Sequence, residues 1–230
     1  SAAGKAKKPR VFHLTGLKTD TDPLYLEYHL SASAVHAAAK DAGVSVTSYL
    51  IAAVICAVRT TRTARVRRRA IHLDAPVDLR SLFGSATLRN FFGLAFITYP
   101  PGDADAPLAD VAAEVQRQLT AGCEPASLKR RMMSMIKLEK NPLLRAAPLI
   151  VKDAALAVAD ARAAREVTTT VSSLGRVALD ECTAPYVEGI SALTSTSGLN
   201  FIVCTYGDDL SIGISSRFLG QKVTRALAEV

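Results

Sequence analysis

The chain has 230 residues, and 49% of them are hydrophobic, which is enough for one globular domain with its own core. No apolar run approaches the ~18 residues that cross a membrane, and the longest, residues 49–58, predicts a buried helix. The first ten residues are small and basic, unlike a secretory signal. We therefore expect a cytoplasmic protein. Four widely spaced cysteines without a CxxC pair agree with this and predict no metal site: Cys56, Cys123, Cys182 and Cys204.

The formal net charge is +7, and much of it lies in two clusters. One is in residues 1–19, which we expect to be a disordered basic leader. The other follows the apolar helix and consists of Arg59, Arg62, Arg65, Arg67, Arg68 and Arg69. This second cluster has two possible interpretations. It is a patch that binds the phosphate groups of coenzyme A, a carrier protein or nucleic acid, or it is the solvated C-terminal end of a helix, where cations interact favourably with the helix dipole. No aromatic residues interleave with these arginines, which argues against a platform that stacks single-stranded bases. Nucleic acid is therefore not the expected partner, and that interpretation rests on the arginine cluster alone.

The first half of the chain predicts strands and helices in alternation. Residues 24–30 alternate apolar and polar side chains, as in a half-buried strand. Ser31 or Ser33 can cap a helix over residues 34–42, with Gly43 just after its end. A second helix, apolar on every side and hence buried, begins at Thr47 or Ser48 and runs to Val58. Two further strands cover residues 70–79 and 94–99. Pro76 predicts an edge or a bulge in the first of these.

The second half predicts mostly helices, then a hairpin. The elements are helices over residues 106–120 and 125–140, a long helix from Asn141-Pro142 to about Arg165 with a kink at Pro148, a strand over 167–173 ended by Gly175, paired strands over 200–206 and 210–216, and a last helix from Gln221. This irregular order predicts an α+β fold, a mixed sheet with helices on one face.

One segment is the most informative. Residues 71–80 read IHLDAPVDLR, and residues 87–93 read TLRNFFG. They resemble the PVxLR and NFFG motifs in the second half of chloramphenicol acetyltransferase-like acyltransferases, among them alcohol acetyltransferases, condensation domains and wax-ester-synthase-type enzymes. Residues 30–58, 167–177 and 201–218 resemble further family segments in the same order. The resemblance covers residues 20–230. It implies the C-terminal lobe of the coenzyme A-dependent acyltransferase fold, a two-layer sandwich with a mixed, mostly antiparallel sheet.

The resemblance also suggests site residues. In the family, the arginine that ends the PVxLR strand pairs with the aspartate of the HHxxxDG motif in the other half of the enzyme, and its position here is Arg80. A guanidinium suits that task because it binds a carboxylate with two parallel hydrogen bonds. The alternative is an ordinary surface arginine at a strand end. Asn90 would border the substrate channel. Alternatively, it is a turn residue in the left-handed region, with Phe91 and Phe92 as core anchors.

Two serines complete the candidate set. Ser172 matches a position where some family members place a hydroxyl that faces the oxyanion of the tetrahedral intermediate. Ser173 stands where the family usually has asparagine. Both are candidates for the channel wall or the oxyanion site, and the alternative is a pair of serines at a strand end.

The family's catalytic motif is missing from this sequence. None of the four histidines is adjacent to another, and none has an aspartate four residues later. His72 shares a strand face with Asp74 and Arg80, but a lone strand histidine is more often structural than catalytic. We therefore predict no catalytic residue in this chain. The chain resembles half an enzyme that transfers an acyl group from a coenzyme A or carrier-protein thioester to an alcohol or amine.

On this interpretation the chain is inactive alone, and its partner is the N-terminal lobe of the same protein. The thioester is a substrate, and no cofactor is bound covalently. The alternative is a non-catalytic binding domain that retains the fold. An exposed apolar surface beside Arg80 would favour the first interpretation, because the partner lobe should cover it. A polar surface there would favour the second.

Overall fold

The computed structural model describes residues 10–63, 65–102, 106–142, 146–163 and 165–230. The strands are β1 (Leu24–Ser31), β2 (Ile71–Asp78), β3 (Phe92–Tyr99), β4 (Thr169–Arg176), β5 (Leu199–Tyr206) and β6 (Asp209–Ser216). The helices are α1 (Ala32–Asp41), α2 (Val46–Thr60), α3 (Arg80–Phe83), α4 (Leu108–Gly122), α5 (Pro125–Glu139), α6 (Leu149–Ala163) and α7 (Lys222–Ala228), with a short 3-10 turn at Ala184–Tyr186.

The strands form one mixed sheet in the order β1-β6-β5-β4-β2-β3. The pairs β1–β6, β5–β6 and β2–β3 are antiparallel, whereas β4 is parallel to both β5 and β2. This confirms the predicted α+β class and the mostly antiparallel sheet. The predicted hairpin is confirmed as β5–β6, which turns at Gly207, where φ is 60°.

Helix α2 is the centre of the helix layer, because residues 50–58 are all buried. It contacts α1, α4 and α7. The helix begins one to two residues earlier than predicted, because the Ser45 side chain accepts a hydrogen bond from the Ser48 amide and caps it. The same cluster of buried side chains contains Ile71 of β2, Val171 of β4 and Phe201 of β5, so the alternate residues of the sheet that face α2 form the core.

The sheet is narrowest between β2 and β4. Only Leu73–Thr169 and Asp74–Thr170 pair there, while β2 pairs with β3 along its whole length. We call this two-pair junction the seam. Beyond it, β2 has no strand partner on the β4 side among the described residues. Pro76 therefore lies in an interior strand but on an unpaired side, which explains why a residue without an amide hydrogen is tolerated there.

Three predicted boundaries were wrong. β4 does not end at Gly175, because that glycine adopts a φ of 74° and the strand continues to Arg176 across a bulge. The helix predicted from Asn141 to Arg165 bends at the expected position, Pro148, but it is divided there instead of kinked, since α6 begins only after a bend at Ala147 and Pro148; residues 143–145 lie outside the described residues. Arg80 begins α3 instead of ending a strand, so it does not share a strand face with His72 and Asp74.

The predicted leader, residues 1–19, is described from residue 10 onward, and residues 1–9 lie outside the described residues. Phe12 is buried, and Val11 forms a parallel bridge with Ala70. Lys18 forms an antiparallel bridge with Phe218. Residues 10–19 therefore lie against the lobe and contribute to its core.

Within the described ranges, no single helix is both long and apolar enough to cross a membrane. Helices α1 and α2, which meet at 86°, satisfy the length and composition criteria only as a bent pair.

Candidate functional site

Arg80 holds the loop that follows α3. Its Nε donates to the carbonyl oxygen of Thr87 at 2.8 Å, and its Nη2 donates to that of Arg89 at 2.8 Å. Its Nη1 donates to Oδ1 of Asp78 at 2.9 Å. The Arg80 side chain is 37% exposed, so these contacts are partly solvated. A guanidinium has five N–H groups, and three are used here, so one hydrogen on each Nη can still meet a further acceptor.

Asn90 lies in the same loop and is exposed. The carbonyl of the preceding residue accepts from Arg80, so the structure brings the Asn90 segment next to that guanidinium. The alternative interpretation of this turn was wrong in two respects. No described residue other than glycine has a positive φ, so Asn90 is not left-handed. Phe92 is 55% exposed and is no core anchor, while the Phe91 ring meets the Phe83 ring at 6.2 Å.

The segments that flank Arg80 expose three large apolar side chains among polar ones. Leu82 in α3 and Phe92 at the start of β3 are exposed, and Leu88 in the loop is 100% exposed. Phe92 pairs with Asp78 across the β2–β3 ladder, and Asp78 in turn binds Arg80. We call Leu82, Leu88, Phe92 and Arg80 the Arg80 corner. Several large apolar side chains exposed within a short stretch of chain are typical of a surface that another segment covers.

A second set of candidate side chains lies on the sheet face opposite α2. Strand alternation places His72 and Asp74 of β2 on this face, and Thr170 and Ser172 of β4 beside them. The pairing of Asp74 with Thr170 at the seam brings the two strands together here. All four residues are half-buried. We call His72, Asp74, Thr170 and Ser172 the polar strip.

The His72 ring is held by its neighbours on β3. Its Nδ1 lies 2.7 Å from Oγ1 of Thr98, and the ring stacks on Phe96 with 5.5 Å between centroids. Its backbone amide donates to the Thr168 hydroxyl. These contacts fix the ring orientation, so this histidine is at least a structural part of the sheet.

Asp74 is the electrostatically unusual residue of the strip. Burial raises the pKa of its carboxyl group, and the hydrogen bond from the Thr170 hydroxyl offsets this shift only in part. Oδ1 is buried and has no hydrogen-bond partner among the described residues. A buried oxygen in this state is costly, and a donor from a neighbouring group would relieve it. Sequence reasoning noted that His72 and Asp74 share a face, but it missed Thr170, because the pairing of β4 with β2 has no local signal.

The two predicted serines lie on opposite faces of β4. Ser172 is on the face of the polar strip, and no side-chain hydrogen bond is found for it within the described residues. Ser173 faces α2, where its hydroxyl accepts a hydrogen bond from Thr47 at 3.2 Å. Strand alternation therefore places Ser172 on the same sheet face as Asp74 and Ser173 on the opposite face. Among the described residues, Arg80 has no hydrogen bond to either serine.

The arginine cluster is only partly a surface patch. Arg62 is 3% exposed and donates through Nη1 to the carbonyl of Arg69, and Arg59 donates to the Tyr99 hydroxyl and the Ala106 carbonyl. Both bind the backbone or neighbouring elements and serve the fold. Arg65, Arg67 and Arg68 are exposed. No group of three or more His, Cys, Asp or Glu side chains that could hold a metal ion is found in the part of the chain that the structure describes.

Comparisons with known proteins agree with this architecture. The structure of polyketide synthase associated protein 5 from Mycobacterium tuberculosis aligns with a TM-score of 0.57 at 14% identity, over 99% of this chain and 54% of that one. The PapA2 acyl transferase aligns with a TM-score of 0.54 at 13% identity, over 96% and 47%. A structure that describes condensation domain-mediated chain release from the enacyloxin polyketide synthase aligns with a TM-score of 0.51 at 18% identity, over 96% of this chain and 42% of that one.

At these identities the likeness shows the fold. The chain spans about half the length of the first of these proteins. No curated protein sequence matches it significantly. The model of the family described as phthiocerol/phthiodiolone dimycocerosyl transferase C-terminus matches residues 29–215. This confirms the resemblance to the C-terminal lobe of chloramphenicol acetyltransferase-like acyltransferases, and the chain belongs to the phthiocerol/phthiodiolone dimycocerosyl transferase C-terminus family.

Proposed function

We propose that this chain is the C-terminal lobe of an acyltransferase that moves an acyl group from a coenzyme A or carrier-protein thioester to an alcohol or amine. The catalytic histidine would come from an HHxxxDG motif in an N-terminal lobe of the same protein. That histidine would act as general base, taking the proton of the acceptor as it attacks the thioester carbon. The observation that carries the proposal is the family match over residues 29–215 in a chain that covers about half of a similar structure.

Arg80 would contribute by positioning and not by chemistry. Two of its N–H groups remain after the contacts with Asp78, Thr87 and Arg89. They can bind the aspartate of the other lobe's motif and so fix the segment that bears the histidine. The three intramolecular contacts hold the guanidinium ready for that partner, which lowers the entropy cost of forming the interlobe pair.

The Arg80 corner supports the need for a second lobe. Leu82, Leu88 and Phe92 are exposed in the segments that flank Arg80 along the chain, and exposed apolar side chains there favour a covered surface over an independent binding domain. A pair formed there would be shielded from water by these side chains, and shielding strengthens a carboxylate–guanidinium contact.

Ser172 would face the channel between the lobes, with a hydroxyl that no described side chain engages. A donor there can stabilise the oxyanion that develops as the acceptor attacks. Asn90, next to the Arg80 contacts, would border the same channel. Ser173 is the weakest of the four candidates, because its hydroxyl is directed to Thr47.

The test uses the native protein. Its intact mass in its own cells, and its sequence, establish whether a lobe with HHxxxDG accompanies this one. The purified native protein is then assayed for thiol release from acyl-coenzyme A with an alcohol or amine acceptor. We expect Arg80→Ala to reduce kcat/KM about 100-fold or more, since a fixed catalytic segment is worth several kcal/mol, and the exposed-site control Arg68→Ala to leave it unchanged.

Two outcomes would contradict the proposal. One is acyl transfer by a polypeptide limited to these 230 residues, which would require a catalytic base within the chain. The other is a native protein that has no HHxxxDG motif and does not consume thioesters. The second outcome would favour the non-catalytic binding domain.

A further inference from the structure

Residues 125–163, which contain α5 and α6, contribute little to the core of the lobe. Among their described side chains only Leu128 is buried. Leu128 lies close to Gly93 of β3, and Arg131 donates to the Leu94 carbonyl at 2.6 Å, so α5 packs on β3 through one side. In α6 no residue is buried. The two helices therefore present most of their surface to solvent.

The outer side of α5 is basic. This helix contains four cations and one acid, a net charge of +3. Lys129, Met133 and Lys137 follow one another at intervals of four and so lie on one face of the helix. They line an open hollow together with Arg130 and a single acid, Glu124. Met133 is 42% exposed there, so an apolar side chain lies among the cations.

The cations of this hollow are not paired within the lobe. Lys129, Arg130 and Lys137 are exposed, and none has a side-chain hydrogen bond or ion pair in the part of the chain that the structure describes. With Glu124 included, the lining still has a net charge of +2. Long cationic side chains can lay their aliphatic stems on apolar surface while their charged ends meet polar groups. The outer side of α5 therefore suits a partner that is negatively charged.

The first turn of α6 is apolar on every side. Leu149, Ile150 and Val151 are 71%, 83% and 56% exposed. Because consecutive residues of a helix are about 100° apart, these side chains point in three directions. A rigid protein groove covers one side of a helix, whereas the interfacial region of a bilayer can surround such a turn. Exposed Leu156 and Val158 extend the apolar surface along the same helix.

We propose that α5 and α6 bind the surface of a bilayer that contains anionic phospholipids. The cations of α5 contact the lipid phosphates, and the apolar first turn of α6 enters the interface beside them. Within the described ranges no single helix is long and apolar enough to cross a membrane, so the contact is with the surface. The inference does not depend on acyl transfer, because it uses neither the Arg80 corner nor the polar strip.

The test is co-sedimentation of the 230-residue chain with vesicles of phosphatidylcholine, alone or mixed with phosphatidylglycerol. We expect binding to the anionic vesicles to exceed binding to the neutral vesicles by about tenfold or more, and to weaken as salt is added. Equal binding to both kinds of vesicle would remove the role of the cations. Either that result or binding to neither kind would overturn the proposal.

Paired substitutions locate the cationic part of the surface. Lys129→Gln combined with Lys137→Gln should weaken binding to the anionic vesicles about twentyfold, because each cation near such a surface contributes about fivefold. Arg65→Gln combined with Arg68→Gln removes the same charge from exposed positions outside α5 and should change binding less than about twofold at physiological salt. Equal losses in the two variants would show general attraction of a cationic chain and would refute a surface built from α5.

Ile150→Ser tests the apolar part of the surface. We expect it to weaken vesicle binding about tenfold, because a large aliphatic side chain that leaves water contributes at least that factor. Leu17→Ser is the matched control, since Leu17 is 79% exposed outside these helices, and it should leave binding unchanged. Circular dichroism checks that each variant is folded, and Val151→Ser replaces Ile150→Ser if that variant is not.

Two further measurements distinguish the bilayer from a protein that covers the same helices. Light scattering without vesicles detects self-association, and self-association that Ile150→Ser abolishes would identify a second copy of this chain as the partner. The sedimentation is also repeated with the native protein. Vesicle binding by the 230-residue chain but not by a longer native protein would show that another lobe covers α5 and α6. Either result would overturn the proposal.

Discussion

Arg80→Ala should destabilise the chain through the loop between α3 and β3. The change removes three side-chain hydrogen bonds, to Thr87, Arg89 and Asp78. The side chain is 37% exposed, so water reaches the freed carbonyls, and each bond is worth only about 0.5–1 kcal/mol. The ion pair with Asp78 adds little at this exposure. The sum is about 2 kcal/mol in the free energy of unfolding, or about 4–8 °C in Tm for a chain of this length.

Urea unfolding followed by circular dichroism measures this loss. Arg89→Ala is the matched control, because it removes the same charge from the same loop but keeps the backbone carbonyl that Arg80 binds. We expect the control to change the free energy of unfolding by less than about 0.5 kcal/mol. If the two variants unfold at the same urea concentration, the Arg80 side chain does not hold the loop. The argument that its intramolecular contacts orient the guanidinium for a carboxylate of the other lobe is then refuted.

Three further predictions concern a buried carboxyl group, a crowded glycine and an exposed thiol. Asp74→Asn should raise the free energy of unfolding at pH 7 by about 1 kcal/mol. The pKa of Asp74 is raised in the folded state, so the wild-type chain loses stability as the pH rises through that pKa, whereas asparagine stays neutral. Urea titrations at pH 4 and pH 7 should therefore show a smaller stability difference between the variant and the wild type at pH 4. Gly213→Ala should cost about 1–3 kcal/mol, because the new Cβ would lie 2.0 Å from the Ala192 carbonyl oxygen. Limited proteolysis should then cut residues 184–197 faster, whereas Gly198→Ala, which meets nothing within 4 Å, should not change the cleavage rate. Cys182 is exposed while Cys56 and Cys204 are buried, so a thiol reagent should label Cys182 first, and a fast phase that survives Cys182→Ser would contradict this.

Local patterns predicted the parts of the fold whose causes are local. The apolar run of α2 and the turn at Gly207 both determine their structure within a few residues, and both are confirmed. The end of β4 was wrong because glycine usually marks a stop, whereas here it supplies the positive φ of a bulge. The seam between β2 and β4 involves residues almost a hundred positions apart, and no local pattern specifies which parallel strands become neighbours.

The candidate site was predictable to the same extent. The motif around Arg80 selected a candidate segment, but the contacts of Arg80 depend on the path of the following loop, which bends back through Thr87 and Arg89. The predicted strand over residues 167–173 contains both Ser172 and Ser173, so strand alternation already implied that they point to opposite faces of the sheet. A cavity lined by Arg10, Arg69 and Arg165 was not foreseeable from charge clusters, since Arg10 and Arg69 belong to two separate clusters and Arg165 belongs to neither.

The seam divides the sheet into two ribbons of different kinds. One is the hairpin β2–β3, and the other contains β4, β5, β6 and β1. Two ladder pairs and the hydrogen bonds between Thr168 and His72 hold them together edge to edge, so the backbone ladder is short there and resists their relative rotation only weakly. What keeps them aligned is the buried cluster, in which α2 side chains pack against residues of both ribbons. Helix α2 therefore keeps the two ribbons aligned across the seam. Amide hydrogens at the seam should exchange with solvent sooner than those at the centre of β5–β6.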